Sequence, residues 1–309
     1  MKTKNVLLSM AIAALFLAGC SKENDSPIED GSSNYVSIKA GIGQFLTKSH
    51  NATTFNDGAV IGVYAWTGDA ATITATEKKD YTYFGTAWTA TTAMTWPDIT
   101  TNHYFLGVYP TPDHLLSTNP STAEGSTDGS FIADTYTLNT ANDDNSDLLI
   151  ATNTGGINGS TTDAVSLTFN HIMAKLTINL TFASEFTTSQ TVSSVTVNAK
   201  AKATINYLTK AVTESSTETA ADITMPAVTA NTVYSSIMVP QNISDIIITI
   251  SGETNKYKLA DPDIDLTSGV NQILNLTVGK DGLVTLTSTG IADWTDATGT
   301  GTAVEVTGA

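Results

Sequence analysis

Apolar residues in this chain recur at every second position, and no long stretch repeats with the 3.6-residue period of a helix. Alternation of that kind places one face of an extended segment in a core and the other in solvent. Such a chain has to build sheets. Val36, Ile38, Ala40 and Ile42 alternate with Ser37, Lys39 and Gly41, which predicts a half-buried strand. Residues 60–66 follow the turn signal Asn56-Asp57-Gly58, and aromatic strands are expected over 81–88 and 103–109, separated by Trp96-Pro97-Asp98. A loop rich in Pro, Gly and Ser covers 111–129, and strands at 131–138, 148–151 and 165–169 complete a first group. A second group comprises 176–180, 195–197, 203–207, 233–239, 245–250, 257–259, 272–278 and 283–286. Many short strands between turn signals predict an all-β fold of antiparallel β-sandwiches. With 309 residues, two domains are expected, an N-terminal sandwich over 35–170 and a C-terminal one over 171–309, meeting near His171.

The first residues carry a separate signal. Lys2 and Lys4 precede an apolar run over 6–17 broken only by Ser9. That run is shorter than the roughly 18 residues a membrane-spanning helix needs, and it ends in Leu17-Ala18-Gly19-Cys20. The tetrapeptide resembles the bacterial lipobox, so residues 1–19 are expected to be a lipoprotein signal peptide. Cleavage would fall between Gly19 and Cys20, with lipid carried on Cys20. Each buried methylene contributes about 0.8 kcal/mol and two chains anchor stably. Residues 20–34, polar and acidic with Pro27 and Gly31, form a tether. Its start, Ser21-Lys22-Glu23-Asn24-Asp25, is similar to the signal that carries Bacteroidetes lipoproteins to the outside of the outer membrane. Cys20 is the only cysteine, so the mature chain has no disulfide and no free thiol for catalysis.

Composition narrows the function classes further. The formal net charge is −16, all 14 basic groups are lysine, and there is no arginine. A chain this acidic is not expected to bind nucleic acid through phosphates. The four histidines, at 50, 103, 114 and 171, show no metal-ligand spacing, and His171 is expected to be a hydrogen-bonded structural residue. Asp261-Pro262-Asp263-Ile264-Asp265 alternates carboxylates like a calcium loop, but Leu266 stands where the glycine belongs and Gln272 where the bidentate glutamate belongs. A turn with solvated acids is expected there. Nucleophile-elbow, phosphate-loop and dinucleotide patterns are absent. Neither an enzyme, nor a cofactor, nor a metal site is predicted. Trp66, Trp88, Trp96 and Trp294 are read mainly as core residues, given how apolar their strands are.

Several segments together resemble one family. Residues 54–65, with Phe55, Gly58 and Ile61-Gly62-Val63-Tyr64, look like the fimbrillin strand "F-x-x-G-D-x-I-G-V-Y". Trp96-Pro97 and then Tyr104-Phe105-Leu106-Gly107-Val108-Tyr109-Pro110 resemble its "F-x-A-Y-Y-P" strand. Ser146-Asp147-Leu148-Leu149-Ile150-Ala151 matches "S-D-L-L-x-A", and residues 167–176 match "L-x-F-x-H-x-x-A-K-L". Val239-Pro240-Gln241 and Ile291-Ala292-Asp293-Trp294 match "V-P-Q" and "I-x-x-W". In order and spacing these segments are similar to a Bacteroidales fimbrillin-like lipoprotein, a type V pilin or its accessory subunit.

The resemblance implies two tandem transthyretin-like sandwiches and a stalk or tip subunit of a surface fimbria. Its partners would be other fimbrial subunits. In the family a protease removes the N-terminal strand, and the C-terminal strand of another subunit fills the groove. Here the removable strand would be the one carrying Val36, Ile38, Ala40 and Ile42, whose burial is worth on the order of 6 kcal/mol. The donor would lie in 300–309, where Val304 and Val306 share a face. Family maturation typically cuts after arginine. This chain has none, and Lys48, followed by Ser49, occupies about that position. The alternative is a lipid-anchored adhesin that binds glycan or host protein without polymerising.

Overall fold

The computed structural model describes residues 35–43, 55–70, 77–110, 132–139, 146–160, 164–254, 256–282, 284–292 and 304–305. The fold is all-β, with no helix element among the described residues. The first half contributes β1 (Ile38–Ile42), β2 (Val60–Thr67), β3 (Glu77–Tyr83), β4 (Trp88–Thr89), β5 (His103–Tyr109), β6 (Ile132–Thr137), β7 (Leu149–Ile157) and β8 (Val165–His171). The second contributes β9 (Ala174–Phe182), β10 (Val192–Ala199), β11 (Lys202–Asn206), β12 (Ala211–Glu214), β13 (Ala221–Thr224), β14 (Ala227–Thr229) and β15 (Val233–Met238). It continues through β16 (Asn242–Ile250), β17 (Lys256–Asp265), β18 (Asn271–Val278), β19 (Val284–Ala292) and β20 (Val304–Glu305).

Four sheets result. A seven-stranded sheet runs β1-β8-β7-β5-β2-β3-β4, and a six-stranded sheet runs β14-β15-β9-β18-β19-β20. A four-stranded sheet has the order β13-β10-β16-β17, and a three-stranded one β12-β11-β6. The last draws β6 from the first half of the chain against β11 of the second, with Lys202 opposite Thr137 and Ala203 opposite Tyr136.

Burial follows the alternation. In β8, Val165, Leu167, Phe169 and His171 are buried while Ser166 and Thr168 are exposed. β2 departs from it, because Ile61 to Trp66 are all buried. The seven-stranded sheet feeds a core on each face: Ile61, Val63 and Phe105 join Val36, Ile38 and Phe169 in one. Tyr64, Trp66, Leu106 and Val108 join a larger core with residues of β9, β10, β16 and β18. A strand covered on both sides reads as a continuous apolar run.

The sheets depart from the all-antiparallel expectation. β1 pairs with β8 in parallel, and β9 pairs with β18 in parallel. Parallel neighbours need a long crossover, so a hairpin-by-hairpin reading of sequence does not find them. The expected aromatic strand over 81–88 is a β3–β4 hairpin, broken at Gly85, whose φ of +68° suits glycine. Residues 261–265 form part of β17 rather than a turn. The pairing of β16 with β17 slips between Ile243 and Asp245, and Asp263 has φ of 50°, which marks a bulge. β17 is an edge strand of its sheet, where Pro262 is tolerated.

Candidate functional site

The segment from Tyr35 to Gly43 is held along two flanks. On one side β1 lies parallel to β8, with Ile38 opposite Val165, Ala40 opposite Leu167 and Ile42 opposite Phe169. Val165 N–H donates to the Ser37 carbonyl at 2.8 Å, and Gly43 N–H donates to the Phe169 carbonyl at 2.8 Å. On the other side Tyr35 bridges Thr95, and Val36 N–H donates to the Met94 carbonyl at 2.8 Å. The Tyr81 hydroxyl donates to the Val36 carbonyl at 3.2 Å and accepts from Met94 N–H at 3.3 Å. Burial pushes the Tyr81 phenol above its ordinary pKa, so it stays protonated as a donor across the neutral range. Trp88 Nε1–H donates to the Ala40 carbonyl at 3.2 Å. Trp88 opens β4, the edge of the same sheet opposite to β1, so the far edge of that sheet also reaches the N-terminal segment.

The side chains of the segment differ in depth. Val36 and Ile38 are 3% and 5% exposed. Ala40 and Ile42 are half-buried against the same core, and Lys39 faces solvent. Two fully buried aliphatic side chains contribute roughly 3–6 kcal/mol, an upper bound because the unfolded chain also buries surface. The floor beneath is aromatic. The ring of Phe55 stands edge-on to Trp88, Phe169 and Tyr109 at 4.9, 5.3 and 5.4 Å. Gly107 makes room for this cluster, since a Cβ there would lie 2.5 Å from Phe169 Cζ.

Gly19, Cys20, Lys48, Ser49 and Val306 lie outside the described residues, as do His50, His114 and Trp294. Val304 falls in β20, which pairs antiparallel with β19 at the edge of the six-stranded sheet, Val304 opposite Ile291. The candidate removable strand and the candidate donor strand therefore lie at edges of two different sheets.

The remaining sequence candidates have structural surroundings. His171 Nδ1 is 2.7 Å from Asp147 Oδ1 in a buried pair, which ties the end of β8 to the turn before β7. Trp66 and Trp96 are core residues and Trp88 is half-buried. Among the described residues, no group of three or more His, Cys, Asp or Glu is placed to hold a metal ion. Sequence reasoning missed the second flank, formed by Tyr81, Trp88 and Met94. The Trp88 contact to Ala40 spans 48 residues, and no local pattern signals it.

Comparison with known proteins gives a consistent result. The fimbrillin-like family model matches residues 47–294. None of the curated proteins matches this sequence. Among solved structures, a candidate cell adhesion protein from Bacteroides uniformis is similar with a TM-score of 0.61 at 21% identity, over 84% of this chain and 98% of that one. A second candidate adhesion protein, from Bacteroides ovatus, has a TM-score of 0.61 at 18% identity, over 85% of this chain and 98% of that one. A fimbrial protein from Bacteroides vulgatus has a TM-score of 0.52 at 12% identity, over 84% of this chain and 99% of that one. At these identities the likeness is one of fold.

Proposed function

Because this chain belongs to the fimbrillin-like family, we propose that it is a stalk or tip subunit of a cell-surface fimbria, assembled by donor-strand exchange. The observation that supports exchange most directly is the position of β1. It is an edge strand paired only to β8 within its sheet, yet it carries two of the core's buried side chains, Val36 and Ile38, in or just before it. Its loss would strip β8 of one row of hydrogen-bond partners and bare apolar surface beside Phe55 and Phe169. An edge in that state recruits a strand, and a neighbour's segment added there is β-augmentation. Donor and acceptor surfaces differ, so the contact is head-to-tail and propagates.

In this scheme Cys20 carries lipid to the outer membrane, the chain reaches the surface as a lipoprotein, and cutting after Lys48 frees the segment bearing β1. The residues that follow Trp294, with Val304 and Val306, would serve the next subunit. N-terminal sequencing of protein recovered from the cell surface tests the scheme. A start at Ser49, with ladders of linked subunits on unboiled gels, is the expected result; a blocked start at Cys20 with monomer only would overturn it.

A second reading is a lipid-anchored adhesin that does not polymerise. It is favoured by the similarity in fold to the two candidate cell adhesion proteins. Saturable glycan or host-protein binding by the unprocessed chain, without ladders, would establish it in place of the first.

A further inference from the structure

The outer flank of the N-terminal segment is a mixed row of groups, two of them side chains. From the N-terminal end of the segment, the row is the Met94 carbonyl, the Tyr81 hydroxyl and the Trp88 indole N–H. They bond Val36 N–H at 2.8 Å, the Val36 carbonyl at 3.2 Å and the Ala40 carbonyl at 3.2 Å. The polarity of each is fixed. A carbonyl only accepts, and an indole N–H only donates. The Tyr81 hydroxyl accepts from Met94 N–H at 3.3 Å, so its own proton goes to the Val36 carbonyl. Tyr81 is 2% exposed, and the Trp88 ring is braced by Phe55 and Tyr83 at 4.9 and 5.1 Å. The order acceptor, donor, donor is therefore built in, and all three groups address backbone atoms.

On the other flank, β8 sets no direction by itself, because a strand edge pairs with parallel and antiparallel neighbours alike. The outer row does. Val36 offers its N–H first and its carbonyl second. Turned end for end, a strand would set a carbonyl against the Met94 carbonyl and N–H groups against the Tyr81 and Trp88 donors. No shift along the groove restores both the Met94 and the Tyr81 bonds. We propose that Tyr81 and Trp88, with the Met94 carbonyl, are positioning groups that make the groove accept an incoming strand in one direction only, parallel to β8. The occupant is an extended segment of another fimbrial subunit. It needs an N–H, hence any residue but proline, at the place of Val36, and aliphatic side chains there and two residues on. A C-terminal tail laid in that direction enters from the Met94 end. The subunit that supplies it then sits at that end, and not at the Phe169 end, where Gly43 N–H is bonded. The assignment rests on the strand-exchange function proposed above.

One experiment tests the direction separately from that function. A specific protease site is placed between Lys48 and Ser49 of the full chain, which is folded and then cut, so that the resident segment is held without a covalent link. Two labelled peptides compete for its place: residues 35–43 in native order, and the same residues in reverse order. Laid end for end, the reversed peptide sets the same side chains over the same core. The native order is expected to bind at least about thirtyfold more tightly, and Tyr81→Phe with Trp88→Phe should narrow that gap roughly tenfold, as the loss of two hydrogen bonds requires. A merely structural role of the two side chains would weaken both peptides alike and leave the gap unchanged. Tyr81→Phe alone, which removes only the hydroxyl, gives the same comparison at roughly fivefold should the double variant not fold. Equal binding of the two orders overturns the one-way groove, and an unchanged gap in the variants overturns the role of Tyr81 and Trp88. In both cases the native peptide still displaces the resident strand and exchange stands. If neither peptide displaces it, strand exchange itself fails, and the direction with it.

Discussion

Lys39 lies in the middle of β1 with its side chain in solvent and its backbone opposite Ser166 of β8. Trypsin needs a detached, extended segment to cut after it, so the rate of cleavage there follows the population in which β1 is open. Ile38→Ala is expected to raise that population. Ile38 is 5% exposed and packs in the core with Val165 and Leu167. Truncating a buried isoleucine to alanine costs about 2–5 kcal/mol. An edge strand can settle into the space left behind, so the lower end, about 2 kcal/mol, applies, and it corresponds to roughly a 30-fold faster cut. Ile42 is only half-buried, and Ile42→Ala should give about fivefold. The assay is the initial rate of Lys39 cleavage by mass spectrometry under native conditions, with the melting temperature measured in parallel. Should Ile38→Ala lower the melting temperature while the Lys39 rate stays within about threefold of wild type, β1 opens only when the whole molecule does. Its selective release would then have no physical basis.

Trp88→Phe removes the indole donor to the Ala40 carbonyl while keeping a ring against Phe55 and Tyr83; about 1 kcal/mol, or roughly fivefold faster Lys39 cleavage with little change in melting temperature, is expected. Gly107→Ala drives a methyl into the Phe169 ring, and overpacking of this kind should lower stability by about 1–3 kcal/mol in denaturant unfolding. Asp147→Ala leaves the buried His171 without its carboxylate and should cost about 1–3 kcal/mol by the same measurement. Hydrogen bonds from Thr101 and Thr100 hold the exposed Asp98 carboxyl at a pKa of about 2. Because that pKa is depressed, its stabilising effect is present above the ordinary carboxylate value of about 3.9 and is lost as pH falls through about 2. An NMR titration of Asp98 should show that midpoint, and Thr101→Val should raise it.

Strands whose burial alternates were legible from sequence, and the reason is local. β8 carries its period-two pattern in seven residues, and β2 and β5 announce themselves as apolar runs between turn signals. β12, β13 and β14 were not legible, because they are short and largely exposed and so present no alternation of apolar residues. Gly85 splits what reads as one aromatic strand, since tyrosine and tryptophan on both sides of it suit strands equally well. For the candidate site, the buried face of the N-terminal segment could be foreseen from Val36, Ile38, Ala40 and Ile42. The structure makes two of these four deep and two shallow, a difference set by where Met94, Trp88 and Phe55 come to lie. Those contacts are products of long-range packing and leave no trace in the adjacent sequence.

The parallel pairing of β1 with β8 bears on whether the segment can be exchanged at all. Removing a central strand, or one member of a tight hairpin, would tear neighbouring connections. β1 has neither relation to the sheet: the chain enters at β1, builds β2 to β7, and only then lays β8 beside it. Without β1 the sheet keeps the order β8-β7-β5-β2-β3-β4, and each remaining neighbour pair is antiparallel. The edge that opens belongs to β8, whose Leu167 and Phe169 already stand in the core and whose backbone groups opposite Ile38 to Ile42 lose their partners. In the proposed exchange, refilling that edge would leave the order of the remaining strands unchanged, and an incoming strand would have to match β8 on one flank and Met94, Tyr81 and Trp88 on the other.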